Sequence, residues 1–399
     1  MNTFYKIFCR AFQGAFKLAI PLLPYRDPLV LRRTRELAGV LREKGIDSVL
    51  VVTDKSLVAL GKLRPLCAAL KGEGIRITVY DGTVPNPTVS NAEAARRLYI
   101  ARGCKGIIGF GGGSSIDCAK AVGVRIAKPR QQIAKMRGIL KIHKRIPYLA
   151  AVPTTAGTGS EVTLATVITD DATHRKFPIN DFPLIPRCAV LDAENTRTLP
   201  KSLTATTGMD AMTHAVEAYI GRSTTRSTRS DATRAVELIS SNLGRAYDNG
   251  DDMAAREAMM EGSFLAGRAF SKSYVGYCHA VAHTLGGEYN VPHGLANAVL
   301  LPYVLRAYGS SAHKKLKALA IAAGVAEENT EPSVAAEAFI SRLEQMNAGM
   351  EIPKKLGGIR REDIPRLARF AAKEANPLYP VPKLMSAREL ERFYYDVME

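Results

Sequence analysis

The chain has 399 residues, 46% hydrophobic and 23% charged, with a formal net charge of +17. That length supports two domains with sizeable cores, and that composition excludes a disordered or fibrous chain. Its six cysteines are scattered without a CxxC pair, which excludes a disulfide frame or a zinc ribbon and points to a reducing, cytoplasmic compartment. The basic residues are spread and are not interleaved with aromatics as in an RNA or DNA module, so no specific nucleic-acid partner is expected. A basic surface also attracts anionic dinucleotides.

The first segment carries Tyr5, Ile7, Phe8, Phe12, Phe16, Leu18, Ala19 and Ile20 at spacings that predict an amphipathic or apolar helix, ended by Pro21 and Pro24. Lys6, Arg10 and Lys17 interrupt it, so it is too short and too charged to span a bilayer. Packing on the protein or on a second subunit is the expected use, which makes a homo-oligomer reasonable. A helix lying on a membrane surface is the less favoured alternative.

From residue 30 to 195, helical stretches alternate with short apolar runs at Val49–Thr53, Arg76–Tyr80, Gly106–Phe110, Tyr148–Val152, Thr166–Thr169 and Ala189–Asp192. That alternation predicts an α/β domain with a mostly parallel sheet. Asp54 directly follows the first of these runs. An acid there accepts ribose hydroxyls and repels a 2′-phosphate, favouring NAD over NADP; equally, Asp54 caps the helix that follows.

At 106–124, Ile107, Ile108 and Phe110 predict a strand. Gly111, Gly112, Gly113, Ser114 and Ser115 then lead into a helix. Glycines let a backbone approach a phosphate, and a helix N-terminus offers unpaired N–H groups. The spacing is not GxGxxG, and such a turn is as often only a turn. Basic residues crowd 125–147. The run PTTAGTGSEVT (153–163) then supplies Thr154, Thr155, Thr158 and Thr163, small hydroxyl groups suited to phosphate, ribose or an amide.

Near Pro200 the strand-like runs stop. Helices are expected at about 202–221, 229–246, 252–271, 277–286 and 294–307. The expected domains are 1–199, α/β and dinucleotide-binding, and 200–399, all-helical and metal-binding. Asp210 and His214 are spaced i,i+4 in GMDAMTHAVEAY, as are His279 and His283 in CHAVAHTLGGEYNVPHG, which also holds His293. On helices each pair shares a face. The neighbours are apolar, so burying these rings costs several kcal/mol unless something binds them. A divalent metal is the economical partner, although each histidine alone would more often be an ordinary core residue.

GGGSSID, PTTAGTGSEVT, GMDAMTHAVEAY and HAVAHTLGGEYNVPHG together resemble, in order and spacing, the iron-containing (group III) alcohol dehydrogenases, from about Val51 to about Leu305. The resemblance implies a nucleotide domain followed by a helical one, the dehydroquinate synthase-like architecture, with the active site between them. It implies metal ligands at Asp210, His214, His279 and His293, and a further active-site histidine at His283. A shell using His283, with Asp210 in support, is the alternative. It implies cofactor contacts at Asp54, Asn86, Gly111, Gly112, Ser114, Thr154, Thr155, Thr163 and Lys176; Gly113 and Thr158 join them as candidates from the glycine turn and the threonine loop themselves. The implied activity is reversible hydride transfer between a primary alcohol or diol and NAD, assisted by Fe2+ or by zinc, cobalt or manganese. A synthase or lyase of the same fold that uses NAD transiently is the alternative. The family's usual first strand has no match in MNTFYKIFCRAFQGAFKLAIPLLPYRDP.

Overall fold

Uninterrupted aliphatic runs make strands that are covered on both faces, and Ser48–Val52 and Gly106–Gly111 are buried along their whole length. The structure, a computed structural model, describes residues 1–172 and 176–399. Chain contacts divide it into two units, Pro24–Leu199 and Met1–Leu23 with Pro200–Glu399.

The first unit contains β1 (Leu29–Leu31), β2 (Ser48–Val52), β3 (Arg76–Tyr80), β4 (Gly106–Gly111), β5 (Gly138–Ile139), β6 (Tyr148–Pro153), β7 (Ala165–Thr169), β8 (Lys176–Asn180) and β9 (Cys188–Val190). Six strands form a sheet in the order β1-β9-β6-β4-β2-β3, with every pairing parallel. The strand order reverses between β2 and β4, which is where open α/β sheets place ligands, beyond the carboxyl ends of the strands. One core lies under Leu37, Leu41, Leu66 and Leu70, and another under Tyr99, Ala119 and Val122.

Two features of this unit differ from the sequence reading. The Thr166–Thr169 run is not in the parallel sheet. It pairs antiparallel with β8 in a separate sheet of order β5-β8-β7, because a short connection can only return the chain antiparallel. The missing edge strand is β1, whose three residues are too few to show a period. The basic stretch after Arg125 is an ordered connection that buries Ile133, Met136 and Ile142.

In the second unit the helices are Lys201–Ile220, Arg226–Asp248, Met253–Ser273, Tyr277–Tyr289 and His293–Tyr308, then Ser310–Ala322, Pro332–Gly349, Ile364–Ala375 and Ala387–Val397. Side chains of Thr225, Asp252 and Ser386 cap three of them. The expected helix at the start of the chain is Thr3–Ala19, running into a short 3-10 turn at Ile20–Leu22 that contains Pro21.

That helix belongs with the second unit, not with the α/β unit expected to span 1–199. The reason is a set of specific contacts. Arg10 donates to the carbonyls of Val381 and Pro382 at 2.7 and 2.9 Å, and Gln13 Nε2 donates to those of Pro377 and Tyr379 at 3.1 and 2.8 Å. Among the described residues all six cysteines are free thiols, and no helix is long and apolar enough to cross a membrane.

Candidate functional site

In the helical unit, Asp210 and His214 project from the middle of Lys201–Ile220, His279 from the first turn of Tyr277–Tyr289, and His293 is the first residue of His293–Tyr308. One ligand atom from each of the four lies within 4.8 Å of the others. Asp210 oxygens stand 3.5 Å from His293 Nε2, 4.0 Å from His279 Nε2 and 4.0 Å from His214 Nδ1. The His214 ring stacks between Phe270 and His279, at 4.2 and 4.5 Å between centroids. Asp210, His214 and His279 are buried, and His293 is partly open to solvent.

The close approach of two helices sets this geometry. A Cβ on Gly294 would lie 2.4 Å from the carbonyl oxygen of Thr206, so only glycine lets the helix beginning at His293 come this near to the helix bearing Asp210.

Supporting groups orient the ligands. Glu217 Oε2 lies 2.6 Å from His279 Nδ1 and accepts the Gly276 N–H at 2.7 Å; Oε1 accepts the Cys278 N–H at 2.8 Å. Asn297 Nδ2 donates to Asp210 Oδ1 at 2.7 Å and lies 3.2 Å from His293 Nε2. The Cys278 thiol donates to the Asn297 carbonyl, away from the cluster. Sequence reasoning missed Glu217 and Asn297. Their signal is helical spacing: Glu217 falls seven residues after Asp210, and Asn297 four after His293.

The electrostatics fit a cation. Burial, reinforced by His214, His293 and His283, holds His279 well below the usual imidazole range, and neutral imidazole is the ligating form. Burial pushes Glu217 up to about 7, against the N–H groups of Gly276, Cys278 and His279. His279 Nε2 is buried with no hydrogen-bond partner among the described residues. An orphaned ring nitrogen facing a carboxylate and two further imidazoles suits a divalent metal.

His283 lies outside the group of four. Its Nδ1 is 2.6 Å from Glu374 Oε1, which also accepts the Tyr379 hydroxyl at 2.8 Å. Its ring stacks on His293 at 5.2 Å.

In the α/β unit, Asp54 follows β2, the glycines follow β4 and Thr154 follows β6, at the carboxyl ends of three adjacent strands. Asp54 Oδ1 caps the next helix through the Leu57 N–H at 3.0 Å. The helix Gly113–Ala127 has no side-chain cap, which leaves its first turn open to an anion. A Cβ on Gly113 would stand 2.8 Å from Thr158 Cγ2, so the glycine turn and the threonine loop touch. The Thr154 N–H donates to Gly111 O at 3.0 Å.

Asn86, at φ +60°, donates its N–H to Ser114 Oγ at 3.3 Å. Lys176 pairs opposite Thr169, whose hydroxyl donates to Asn86 O at 3.3 Å. Burial lowers the Lys176 pKa. In the HRKFP motif that carries it, residues 174 and 175 lie outside the described residues.

Thr163 is held from behind. Lys120, fully buried, donates to Thr163 O at 2.8 Å, Thr163 Oγ1 at 3.1 Å and Ala165 O at 2.7 Å. Asp117 accepts the Val167 N–H at 2.9 Å and the Ser160 hydroxyl at 3.2 Å. Sequence reasoning missed both, and their signal is two charges at i,i+3 among the apolar residues that follow SSI.

Comparison with known proteins agrees with this arrangement. Residues 32–193 match the family model described as iron-containing alcohol dehydrogenase, and 204–398 match that of the C-terminal part of the Fe-containing alcohol dehydrogenase family. The helix Thr3–Ala19 lies outside both ranges. Alcohol dehydrogenase 4 of Schizosaccharomyces pombe is 38% identical over 86% of this chain and 82% of that protein. A solved 1,3-propanediol oxidoreductase is 34% identical with a TM-score of 0.90, covering 94% of this chain and 99% of that one. Sulfoacetaldehyde reductase from Bifidobacterium kashiwanohense, solved with NAD+, is 28% identical with a TM-score of 0.83, over 94% and 98%. With both halves matched and the four motifs placed on the elements they imply, the chain belongs to the iron-containing alcohol dehydrogenase family and is an enzyme of the alcohol dehydrogenase class.

Proposed function

We propose that this enzyme interconverts primary alcohols or diols with the corresponding aldehydes, using NAD and a divalent metal held by Asp210, His214, His279 and His293. The observation that carries the metal assignment is the convergence of four ligand atoms within 4.8 Å, one of them the buried and unpartnered His279 Nε2. Iron is the first candidate because of the family; zinc, cobalt and manganese accept the same donors. Bound there, the ion supplies Lewis-acid polarisation of an alcohol or aldehyde oxygen.

The chain's own groups have separate tasks. Glu217 holds the hydrogen of His279 on Nδ1, which turns the Nε2 lone pair towards the cluster. Asn297 fixes the rotamer of Asp210. His283, Glu374 and Tyr379 form a hydrogen-bonded chain able to hold and pass the proton that accompanies hydride transfer. Gly111, Gly112, Gly113 and Ser114, with the open helix terminus, receive the pyrophosphate. Thr154, Thr155, Thr158 and Thr163 serve the pyrophosphate and nicotinamide side, and Asn86 and Lys176 the ribose side. Asp54 contacts the adenosine ribose with the oxygen not used in its cap, which disfavours NADP. The NAD+ complex of the sulfoacetaldehyde reductase supports NAD, and the dehydrogenase and reductase names of the relatives do not favour a synthase or lyase.

The test is to strip metal with a chelator, restore Fe2+ anaerobically, and follow NADH formation across primary alcohols and diols. Turnover lost with the chelator and regained with iron supports the reading. A chain that binds neither metal nor NAD contradicts it.

A further inference from the structure

The helix Thr3–Ala19 has two apolar sides. One buries Cys9 and Gln13 against the helical unit. The other faces solvent: Phe4 is 85% exposed, Ile7 61%, Phe8 53% and Leu18 79%, and Leu22 beyond the helix is 86% exposed. Helical spacing puts Phe4, Ile7, Phe8, Ala11, Ala15 and Leu18 on one outward stripe. Leaving such a stripe in water forfeits the free energy that burying its large side chains would gain.

Along one flank of this helix lies a cavity of 430 Å³, lined by Arg10, Lys17, Arg222 and Lys315 together with neutral groups that include Gln13 and Ser311; among the described residues no acidic one lines it. Arg10 donates to the Val381 and Pro382 carbonyls and the Gln13 amide oxygen, and Lys315 to the Ile220 and Gly221 carbonyls. The partners of these two cations are carbonyl and amide oxygens, none of them a carboxylate. Burial, with Lys17, Arg229 and Arg222 close by, draws Lys315 down to about 8. The flank continues past Lys6 and Lys383 to Glu389, whose carboxylate is taken up by Ser386. No Asp or Glu precedes Asp27 in the chain.

We propose that this helix and its basic flank form a docking surface for an anionic phospholipid membrane. The apolar stripe enters the acyl boundary, and headgroup phosphates meet Lys6 and Lys17 and enter the cavity at Arg10, Arg222 and Lys315. A helix of 17 residues lying flat, with long-chained cations along the flank between its apolar stripe and its buried side, has the geometry of an interfacial anchor. Two features select this occupant. A soluble phosphate would use the cavity and leave the stripe bare. A second copy docked face to face about a twofold axis would set like charges at Lys6 and Lys17 against each other.

The test is co-sedimentation of the full chain with vesicles of phosphatidylcholine, with and without phosphatidylglycerol, together with K6Q/K17Q and I7S/L18S variants. All four positions are exposed, so both variants should melt like the unaltered chain. Binding is expected only with phosphatidylglycerol present. Losing the two lysines should weaken it about thirtyfold, at about 1 kcal/mol per basic side chain near such a surface, and I7S/L18S should abolish it. Undiminished binding by either variant, or no binding to phosphatidylglycerol vesicles, overturns the proposal. So does I7S/L18S converting a larger assembly into a smaller one without vesicle binding, which would make the stripe a subunit interface. Inorganic phosphate binding without vesicle binding would make the cavity a soluble-anion site and equally overturn it.

Discussion

Replacing Glu217 by glutamine tests whether the ligand cluster depends on a single hydrogen-bond acceptor. Oε2 accepts from Gly276 N and lies 2.6 Å from His279 Nδ1, and Oε1 accepts from Cys278 N; with the Nδ1–H tautomer assigned to His279 the carboxylate meets three N–H donors. Glutamine has nearly the same volume but one acceptor oxygen. If its oxygen turns towards His279, its NH2 group faces the Cys278 N–H; the other orientation faces two donors. At least one buried N–H is left unpaired either way, at about 1–3 kcal/mol. The loss falls next to His279, and the carboxylate that favoured the Nδ1–H tautomer is gone. Metal affinity should drop about 10–100-fold, the usual effect of losing such a partner to a ligating histidine. The assay is competition for Zn2+ or Co2+ against a chromophoric chelator, with the melting of the metal-free protein measured in parallel. Glu217→Gln binding metal as tightly as the unaltered chain would refute the assigned role.

Four further outcomes follow from the geometry. His279→Ala and His293→Ala should each lose metal and turnover while NAD still binds; full activity in either would mean that a different shell holds the ion. Asp54→Asn should keep the helix cap, since asparagine caps as well as aspartate, yet raise the NADP-to-NAD ratio of kcat/KM about five- to tenfold, roughly the effect of removing one charge repulsion near water; an unchanged ratio would leave Asp54 as a cap alone. Gly113→Ala should push the threonine loop away from the glycine turn, because its Cβ would lie 2.8 Å from Thr158 Cγ2; the strain of about 1–3 kcal/mol should appear as weaker NADH binding by fluorescence titration, and an undisturbed affinity would count against the turn as the pyrophosphate seat. For pH, Arg366, Tyr289 and Arg360 hold the Asp363 carboxyl at about 2, below its ordinary range. The folded pKa is the lower one, so this stabilisation is complete above about 3.9 and is lost as pH falls towards 2. Asp363→Asn should therefore flatten the acid limb of the melting profile, and an unaltered limb would show that the cluster contributes nothing.

Patterns confined to a single element were legible in the sequence. The aliphatic runs at 48–52 and 106–111 could only be covered strands, and the helices from Lys201 to Tyr308 followed from period alone. The i,i+4 pairs pointed to a polar cluster because two side chains on one helix face are set by the helix itself; Asp210 and His214 both fall in the group of four, whereas of the second pair only His279 does. Packing decided the rest. Whether Asp210 on one helix meets His279 and His293 on two others depends on how closely the helices approach, and that rests on Gly294 fitting against the carbonyl of Thr206. Glu217, Asp117 and Lys120 lie in runs that were already visible and Asn297 just beyond one, yet their partners are remote in the chain, so burial and hydrogen bonding had to reveal them. The first helix was equally clear as a helix, but amphipathicity does not say which surface it will cover. Gln13 and Arg10 settled that by reaching the backbone at 377–382, because the carbonyls there needed donors that only the folded chain brings to them.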